Sequence, residues 1–171
     1  DGGDLFCAME GRADGRRSKA GLRPEHANAP DYFDSLVRHA ADFYAPFAEN
    51  FVCIGMGNHE TSVLKHQETN LTERLCERMT ALSGHKVYPG GYGNWVIFRA
   101  KLHTRKYTLT MKQFHGSGGG GLMTADVLRT RRIASWTPDA DVIVGGHTHD
   151  QWWMNLARER LVTQNGIYRV E

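Results

Sequence analysis

Two short segments, far apart in the chain, carry residue types from which metal sites are built. The first is Gly57-Asn58-His59-Glu60 and the second is Gly145-Gly146-His147-Thr148-His149. Imidazole and amide groups bind divalent metals, and two histidines separated by one residue on a glycine-rich turn can point at neighbouring ions. Either segment alone is equally well explained by a loop histidine bonded to backbone. Their combination favours metal chemistry.

The elements before these segments explain how they would be brought together. Apolar, β-branched runs precede both, Phe51–Ile54 the first and Val142–Val144 the second, and such runs are typical of buried parallel strands. Open α/β sheets bind ligands at the C-terminal ends of their strands. We therefore expect both segments to lie in loops at strand ends, joined by Gly3-Asp4 and by His115, which also follows a predicted strand.

In their order along the chain, these residues resemble the signature of the calcineurin-like metallophosphoesterases. That signature is Asp-x-His, Gly-Asp, Gly-Asn-His-Asp/Glu, a lone His and Gly-His-x-His. Its last four blocks match Gly3-Asp4, Gly57–Glu60, His115 and Gly146–His149. The resemblance spans almost the whole chain, and it implies one α/β metallophosphoesterase domain over residues 1–171, a sandwich of mixed β-sheets flanked by helices.

The resemblance also implies a dinuclear centre with two divalent metal ions. Asp4 would bridge them, Asn58, His115 and His147 would complete one metal, and His149 would serve the other. This mixture of donors suits Mn²⁺, Fe or Zn²⁺ and does not choose between them. A hydroxide formed from metal-acidified water would be the nucleophile.

Two neighbouring residues would act on the substrate. The resemblance implies that His59 is not a ligand but binds the phosphate or protonates the leaving alkoxide. Glu60 could orient the His59 ring, as carboxylates commonly do for functional histidines.

The chain departs from the family signature in two places. Cys7 stands where many relatives carry a further Asp, and no Asp-x-His block occurs anywhere in the chain. Because the chain opens at the second block, we expect an N-terminally truncated domain that lacks the preceding strand or strands. The same departure supports an alternative function, a non-catalytic binding or scaffold protein with a degenerate metal site.

The substrate would be a phosphomonoester, a phosphodiester or a nucleic acid. The glycine-rich run over residues 116–121 would let a phosphate come close to His115, with Gly116 and Gly118 as candidate substrate-binding residues, although a flexible loop explains the run equally well. Arginines in residues 12–23 favour a large anionic substrate, and Arg12 is a further candidate substrate-binding residue. A solvated surface is the preferred explanation, and a net charge of +2 does not argue for nucleic acid by itself.

Composition limits the classes of protein to which the chain could belong. The chain has 171 residues, of which 40% are hydrophobic and 23% charged, as in ordinary globular proteins. No apolar run is long enough to span a membrane, and the three cysteines lack metal-type spacing, which indicates reduced thiols and a cytoplasmic setting. The oligomeric state is left open.

Periodicity predicts the elements that carry these residues. A long loop over residues 9–30 precedes a helix from Tyr32 to Phe47, ended by Pro46. Thr61 to Ser83 is helical with a break near Thr69-Asn70. Further along the chain we expect a hairpin of Trp95–Leu102 with Tyr107–Phe114, a helix from Thr124 to Ser135, a buried strand at Asp141–Val144, and a last hairpin of Trp152–Leu156 with Arg160–Gln164.

Overall fold

A computed structural model of the chain describes residues 1–8, 23–118, 125–149, 151–159 and 161–170. The expected mixed α/β class is confirmed. The helices are α1 (Pro24–Ala27), α2 (Tyr32–Tyr44), α3 (Asn58–Gln67), α4 (Leu71–Ser83) and α5 (Ala125–Trp136). The strands are β1 (Cys53–Gly55), β2 (Tyr88–Gly91), β3 (Gly93–Leu102), β4 (Arg105–Phe114), β5 (Val142–Gly145), β6 (Leu161–Gln164) and β7 (Ile167–Val170).

The buried core lies in the first half of the chain, where α2 and α4 pack on each other and on β1 and β2. The apolar stripe of α4 faces this core, with Leu71, Leu75 and Met79 fully buried. Burial of such side chains contributes roughly 1.5–3 kcal/mol each. The cluster comprises Phe6, Ala8, Val37, Ala41, Ala48, Ile54, Val63, Leu71, Leu75, Cys76, Met79 and Val87.

Local signals set the helix ends in this region. The predicted break between the two central helices is confirmed, because α3 ends at Gln67 and α4 begins at Leu71. The Asn70 side chain accepts a hydrogen bond from the Glu73 N–H, which caps α4. The helix predicted to reach Phe47 ends at Tyr44, and the chain continues as a 3-10 turn over Ala45–Asn50 that contains Pro46.

Within the described part of the chain, the strands form three small sheets. β1 pairs in parallel with β2, a pairing that the sequence did not predict. The predicted hairpin of β3 and β4 is confirmed, and β5 pairs in parallel with β4. The expectation that β5 is buried is wrong: β5 lies at the sheet edge, and Val142 and Val144 are 39% and 42% exposed.

The last predicted hairpin is also wrong, because the observed hairpin lies further along the sequence. Residues 151–159 form no regular strand, and the hairpin is made instead by β6 and β7. Its turn is Asn165-Gly166, with φ of 54° and 77°. Asn-Gly adopts this left-handed two-residue turn readily, and it was the stronger local signal.

Three further observations complete the fold. All three cysteines are free, as expected. Among the described residues, no helix has the length and apolar character needed to cross a membrane. The long loop predicted over residues 9–30 lies mostly outside the described residues, and its described end contains α1. Thr124, the predicted start of the helix observed as α5, also lies outside them.

Candidate metal centre

The Gly3-Asp4 loop packs directly on the turn that opens α3. A Cβ atom added to Gly3 would lie 2.4 Å from the Gly57 nitrogen, and one added to Gly57 would lie 2.0 Å from Asp4 Oδ1. Real Cβ atoms do not approach other atoms so closely, so both positions require glycine. Gly3 (φ 99°) and Asp4 (φ 58°) are in the left-handed region, and the Asp4 carboxylate accepts a hydrogen bond of 3.1 Å from the His59 N–H.

A buried carboxylate fastens these two loops together. Glu60 is fully buried and accepts hydrogen bonds from the backbone N–H groups of Asp4 (3.0 Å), Phe6 (2.7 Å) and Gly57 (2.8 Å). As the third residue of α3, it reaches back to the N–H of the helix cap, as in one half of a capping box. The predicted contact of Glu60 with the His59 ring is therefore not what the structure shows, since both of its oxygens are bound to backbone amides.

Adjacent parallel strands bring the two distant histidines together. In the β4–β5 ladder Phe114 pairs with Gly145, so His115 and the Gly146-His147 turn emerge at the same edge. The Gly146 N–H donates to the His115 carbonyl at 3.1 Å. The two imidazole rings lie 5.2 Å apart between centroids.

Four of the predicted ligands converge at this edge. His115 Nε2 lies 3.0 Å from Asp4 Oδ2 and 3.2 Å from Asn58 Oδ1. His147 Nδ1 lies 2.9 Å from the same Asn58 oxygen. Asn58 is the first residue of α3, so one amide oxygen at a helix start meets two imidazoles that come from the sheet.

The protonation of His115 follows from its other ring nitrogen. Nδ1 lies 2.9 Å from the Gly2 carbonyl oxygen, which can only accept, so Nδ1 carries the proton. In a neutral ring Nε2 then has only a lone pair, and it faces two oxygen acceptors inside a site where His115 is 3% exposed. A shared cation or a second proton would stabilise this arrangement.

The donor set fits a divalent metal ion. Ligand atoms of Asp4, His115 and His147 all lie within 4.8 Å of one another. Atoms bound to one ion at about 2.0–2.2 Å are at most about 4.4 Å apart, so small side-chain shifts would let all three bind. The Gly2 carbonyl behind His115 is the kind of partner that fixes the tautomer of a metal-ligating histidine.

His149 is not part of this group. It is exposed, has φ of 59° and lies in a neighbouring cleft of about 880 Å³. The cleft is also lined by His147, Trp152 and Trp153. The two tryptophans are 36% and 83% exposed, so they do not pack in the core. Their segment is not the strand that the sequence predicted.

His59 is half-buried beside the ligands, and its ring Nδ1 is a buried polar atom without a hydrogen-bond partner among the described residues. A buried nitrogen left unpaired costs roughly 1–3 kcal/mol. Such atoms need an explanation, and a role in binding or proton transfer is one of them.

The three predicted substrate-binding residues have different outcomes. Gly116 is buried and has φ of 105°, and a Cβ there would lie 3.0 Å from the Gly146 oxygen and 3.1 Å from His147 Cβ. Its missing side chain therefore makes room for the His147 turn. Gly118 is exposed, with open space around it. Arg12 lies outside the described residues.

Sequence reasoning missed Tyr92, which supports the site from behind. Its ring contacts the His115 ring edge-on at 5.3 Å between centroids, its carbonyl accepts from the His115 N–H, and its hydroxyl donates to the Gly116 carbonyl. Burial, and then the nearby Asp4 carboxylate, raise the pKa of Tyr92. Its place within a glycine-rich stretch, Gly90–Gly93, concealed this role, since such a stretch indicates only a turn.

Comparisons with protein-family models, with curated proteins and with solved structures find no match to this chain.

Proposed function

We propose that this protein is a metal-dependent phosphoester hydrolase. The observation that carries the proposal is the environment of His115 Nε2. This nitrogen lies within 3.2 Å of both the Asp4 carboxylate and the Asn58 amide oxygen, with His147 beside them. Oxygen and imidazole donors converging on one point at the end of parallel strands are a metal-binding arrangement.

Divalent ions, when bound, would polarise a phosphoryl oxygen and acidify a water molecule. We propose two of them, Mn²⁺, Fe or Zn²⁺, with Asp4 shared and His149 on the second. The chain's own contribution is to hold the first ligands rigidly: Glu60 fixes the Asp4 loop, and the Gly2 carbonyl fixes the ring of His115.

His59 is the residue we assign to the substrate. Its backbone is held by Asp4 Oδ1, so its position is tied to the ligands without its ring being one of them. From there the ring would donate a hydrogen bond to the phosphate or a proton to the leaving alkoxide.

Four histidine variants test this proposal. We expect His115→Ala and His147→Ala to lose bound metal and hydrolysis together. His59→Ala should keep its metal and lower turnover on an alkyl phosphodiester by on the order of 10²–10⁴, and by less on a nitrophenyl ester, which needs little protonation. His66→Ala, an exposed histidine of α3, is the matched control and should match the wild type.

The measurements are metal content after reconstitution and dialysis, and turnover of both esters. Loss of metal on replacing His59, to the same degree as for His147, would show that it is a ligand. A metal-loaded protein that hydrolyses neither phosphomonoesters nor phosphodiesters would contradict the proposed activity.

A non-catalytic binding or scaffold protein with a degenerate metal site is the second candidate. One observation favours it: His149 lies outside the converging group, which leaves a single ion with a defined set of ligands. Such a protein would bind about one ion tightly, and a second ion would not change any measured activity.

A further inference from the structure

We propose that one face of the β3–β4 hairpin binds a single strand of nucleic acid and guides it to the metal centre. This inference rests on the proposed hydrolase function and names its substrate class. The face is formed by residues that alternate along the two strands. Trp95, Arg99, Lys101, Lys106 and Lys112 lie on it together with Ile97, Thr108 and Thr110, and it is called here the cationic face.

The ladder fixes which side chains share this face. Lys101 pairs directly with Lys106, Arg99 with Thr108, and Trp95 with Lys112. Residues directly opposite in an antiparallel pair point to the same side. The Lys112 Nζ lies 5.1 Å from the centre of the Trp95 ring, which agrees with that assignment.

Charge on this face is unbalanced. No aspartate or glutamate occurs between Glu77 and Asp126, whereas seven lysines and arginines do. Arg99, Lys101 and Lys106 are exposed. Among the described residues, the ion pairs join other groups, and none includes a cation of this face.

The pairing of Lys101 with Lys106 is unfavourable without a partner. Like charges directly opposite each other destabilise a strand pair, and Arg99 adds a third positive charge one pleat away. A polyanion bound along the cationic face would neutralise all three positive charges at once. A run of phosphates is such a polyanion, and Trp95, which is 44% exposed, offers a ring on which a base can stack.

The cationic face continues to the proposed catalytic centre. Lys112 and Phe114 lie on it at successive alternate positions of β4; Phe114 lines the cleft that contains His147, and His115 is the next residue. Nine residues separate Lys106 from His115, roughly 30 Å of extended strand. A strand of several nucleotides would cover this length, within the range of known single-stranded sites.

A lipid surface, the alternative partner, would contact the other side of the β3–β4 hairpin. The opposite face carries the large apolar side chains, with Phe98 against Leu109 and Ala100 against Tyr107, and a single cation, Arg105, at the hairpin tip. A membrane that took up these side chains would leave the three cations pointing away from its headgroups. A nucleic acid needs only the cationic face, so the observations favour it.

Binding without catalysis is the test. A fluorescein-labelled 20-nucleotide single-stranded DNA is titrated with the full chain in EDTA, and anisotropy is followed at several salt concentrations. We expect the triple variant Arg99→Ala, Lys101→Ala, Lys106→Ala to bind at least tenfold more weakly at low salt. The magnitude of the negative slope of log K against log salt should fall by about 2 for the three cations, since each single-strand phosphate contact contributes about 0.7.

Two further variants separate binding from folding. A control with Lys65, Lys86 and Arg131 changed to alanine removes the same charge from exposed sites elsewhere, and it should keep the wild-type slope. Lys106→Glu replaces the repelling pair with an attractive one, so it should weaken DNA binding without lowering the melting temperature.

Equal affinity and equal slope in the triple variant and its control would overturn the inference. So would binding to phosphatidylglycerol vesicles that is lost in Phe98→Ala and Leu109→Ala while DNA does not bind. Because EDTA removes the metal, DNA binding is measured apart from hydrolysis. A protein that binds DNA through the cationic face but, when loaded with metal, hydrolyses neither phosphomonoesters nor phosphodiesters would contradict the proposed hydrolase and leave the binding face standing. Hydrolysis of small esters without cleavage of the bound DNA would overturn nucleic acid as the substrate class.

Discussion

The helical region (residues 1–8 and 23–92) and the sheet region (the described residues from 93 to 170) are built differently. Every member of the buried apolar cluster belongs to the helical region. The sheet region leaves large apolar side chains at its surface, Leu109, Val144, Trp153 and Tyr168 among them. Apolar burial is the dominant favourable term in folding, so most of the stability must reside in the first region.

The candidate metal centre lies where these two regions meet. Asp4 and Asn58 come from the helical region, and His115 and His147 come from the sheet region. Backbone at the start of the chain joins them: the Asp1 carbonyl accepts from the Gly55 N–H and from the Gln113 side chain. The comparison teaches that the site combines a rigid half with a half whose position depends on a few hydrogen bonds.

The largest expected effect tests where the stability resides. Leu75→Ala removes a fully buried side chain of α4 and should lower the free energy of unfolding by about 2–5 kcal/mol. Leu109→Ala, at a 45% exposed position of β4, should cost under about 1 kcal/mol. Urea unfolding of both variants measures this difference, and equal losses would remove the distinction between the regions.

A second change weakens the contact between the two loops of the rigid half. Glu60→Gln replaces one carboxylate oxygen with a donor that faces backbone N–H groups. The free energy of unfolding should fall by about 1.5–3 kcal/mol, the usual contribution of hydrogen bonds to a charged group. Metal affinity should fall as well, since Asp4 is held by this carboxylate.

Glu77→Gln on the exposed side of α4 is the matched control and should change neither quantity. Unfolding and metal titration are measured on the same preparations. An unchanged metal affinity in Glu60→Gln would mean that Asp4 is held by other contacts.

A third change acts on the packing of one ligand loop. The Cβ of Gly57→Ala would lie 2.0 Å from Asp4 Oδ1, so the Asp4 loop must move. We expect a loss of about 1–3 kcal/mol in stability, as for other overpacked sites. The free energy of metal binding, measured by calorimetry, should fall by more than the free energy of unfolding. At Gly145 the nearest atom to an added Cβ is 3.9 Å away, so Gly145→Ala should behave as the wild type.

The smallest expected effect concerns thiol reactivity. Desolvation raises the pKa of the buried Cys76 to about 11, so at pH 8 the folded protein keeps it as the unreactive thiol. The exposed Cys7 should react with iodoacetamide within minutes, and Cys76 should react only when the helical region opens. Mass spectrometry of a time course measures both rates.

The same shift has a consequence for stability. Because the folded pKa of Cys76 lies above its unfolded value, the contribution of the neutral thiol is present below about pH 9. It is lost as the pH rises towards 11. Stability that instead increased over this range would show that burial does not control this thiol.

Local sequence signals predicted much of the fold and the neighbourhood of the site. The helix break before Asn70 and the β3–β4 hairpin were predictable because each depends on residues close in sequence. The nearness of His115 and His147 followed from two strand ends, since the parallel pairing of β4 with β5 places both at one edge.

What could not be predicted depends on distant partners. The exposure of Val144 follows from the position of β5 at the sheet edge, which a β-branched run does not reveal. The carboxylate of Glu60 binds amides more than fifty positions away, and no spacing rule anticipates that. The hairpin at Asn165-Gly166 is different, because its signal was local and could have been recognised from the Asn-Gly pair alone.

The left-handed backbone at Asp4, His147 and His149 has a consequence for the protein's evolution. Each of these non-glycine residues carries a conformational cost of roughly 1–2 kcal/mol, which glycine would remove. Selection for thermal tolerance alone would therefore favour glycine at the same positions that supply the proposed metal donors. Stability and activity are in conflict there, and an engineered thermostable variant should leave these three residues unchanged and seek its gains on the exposed surface of the sheet region.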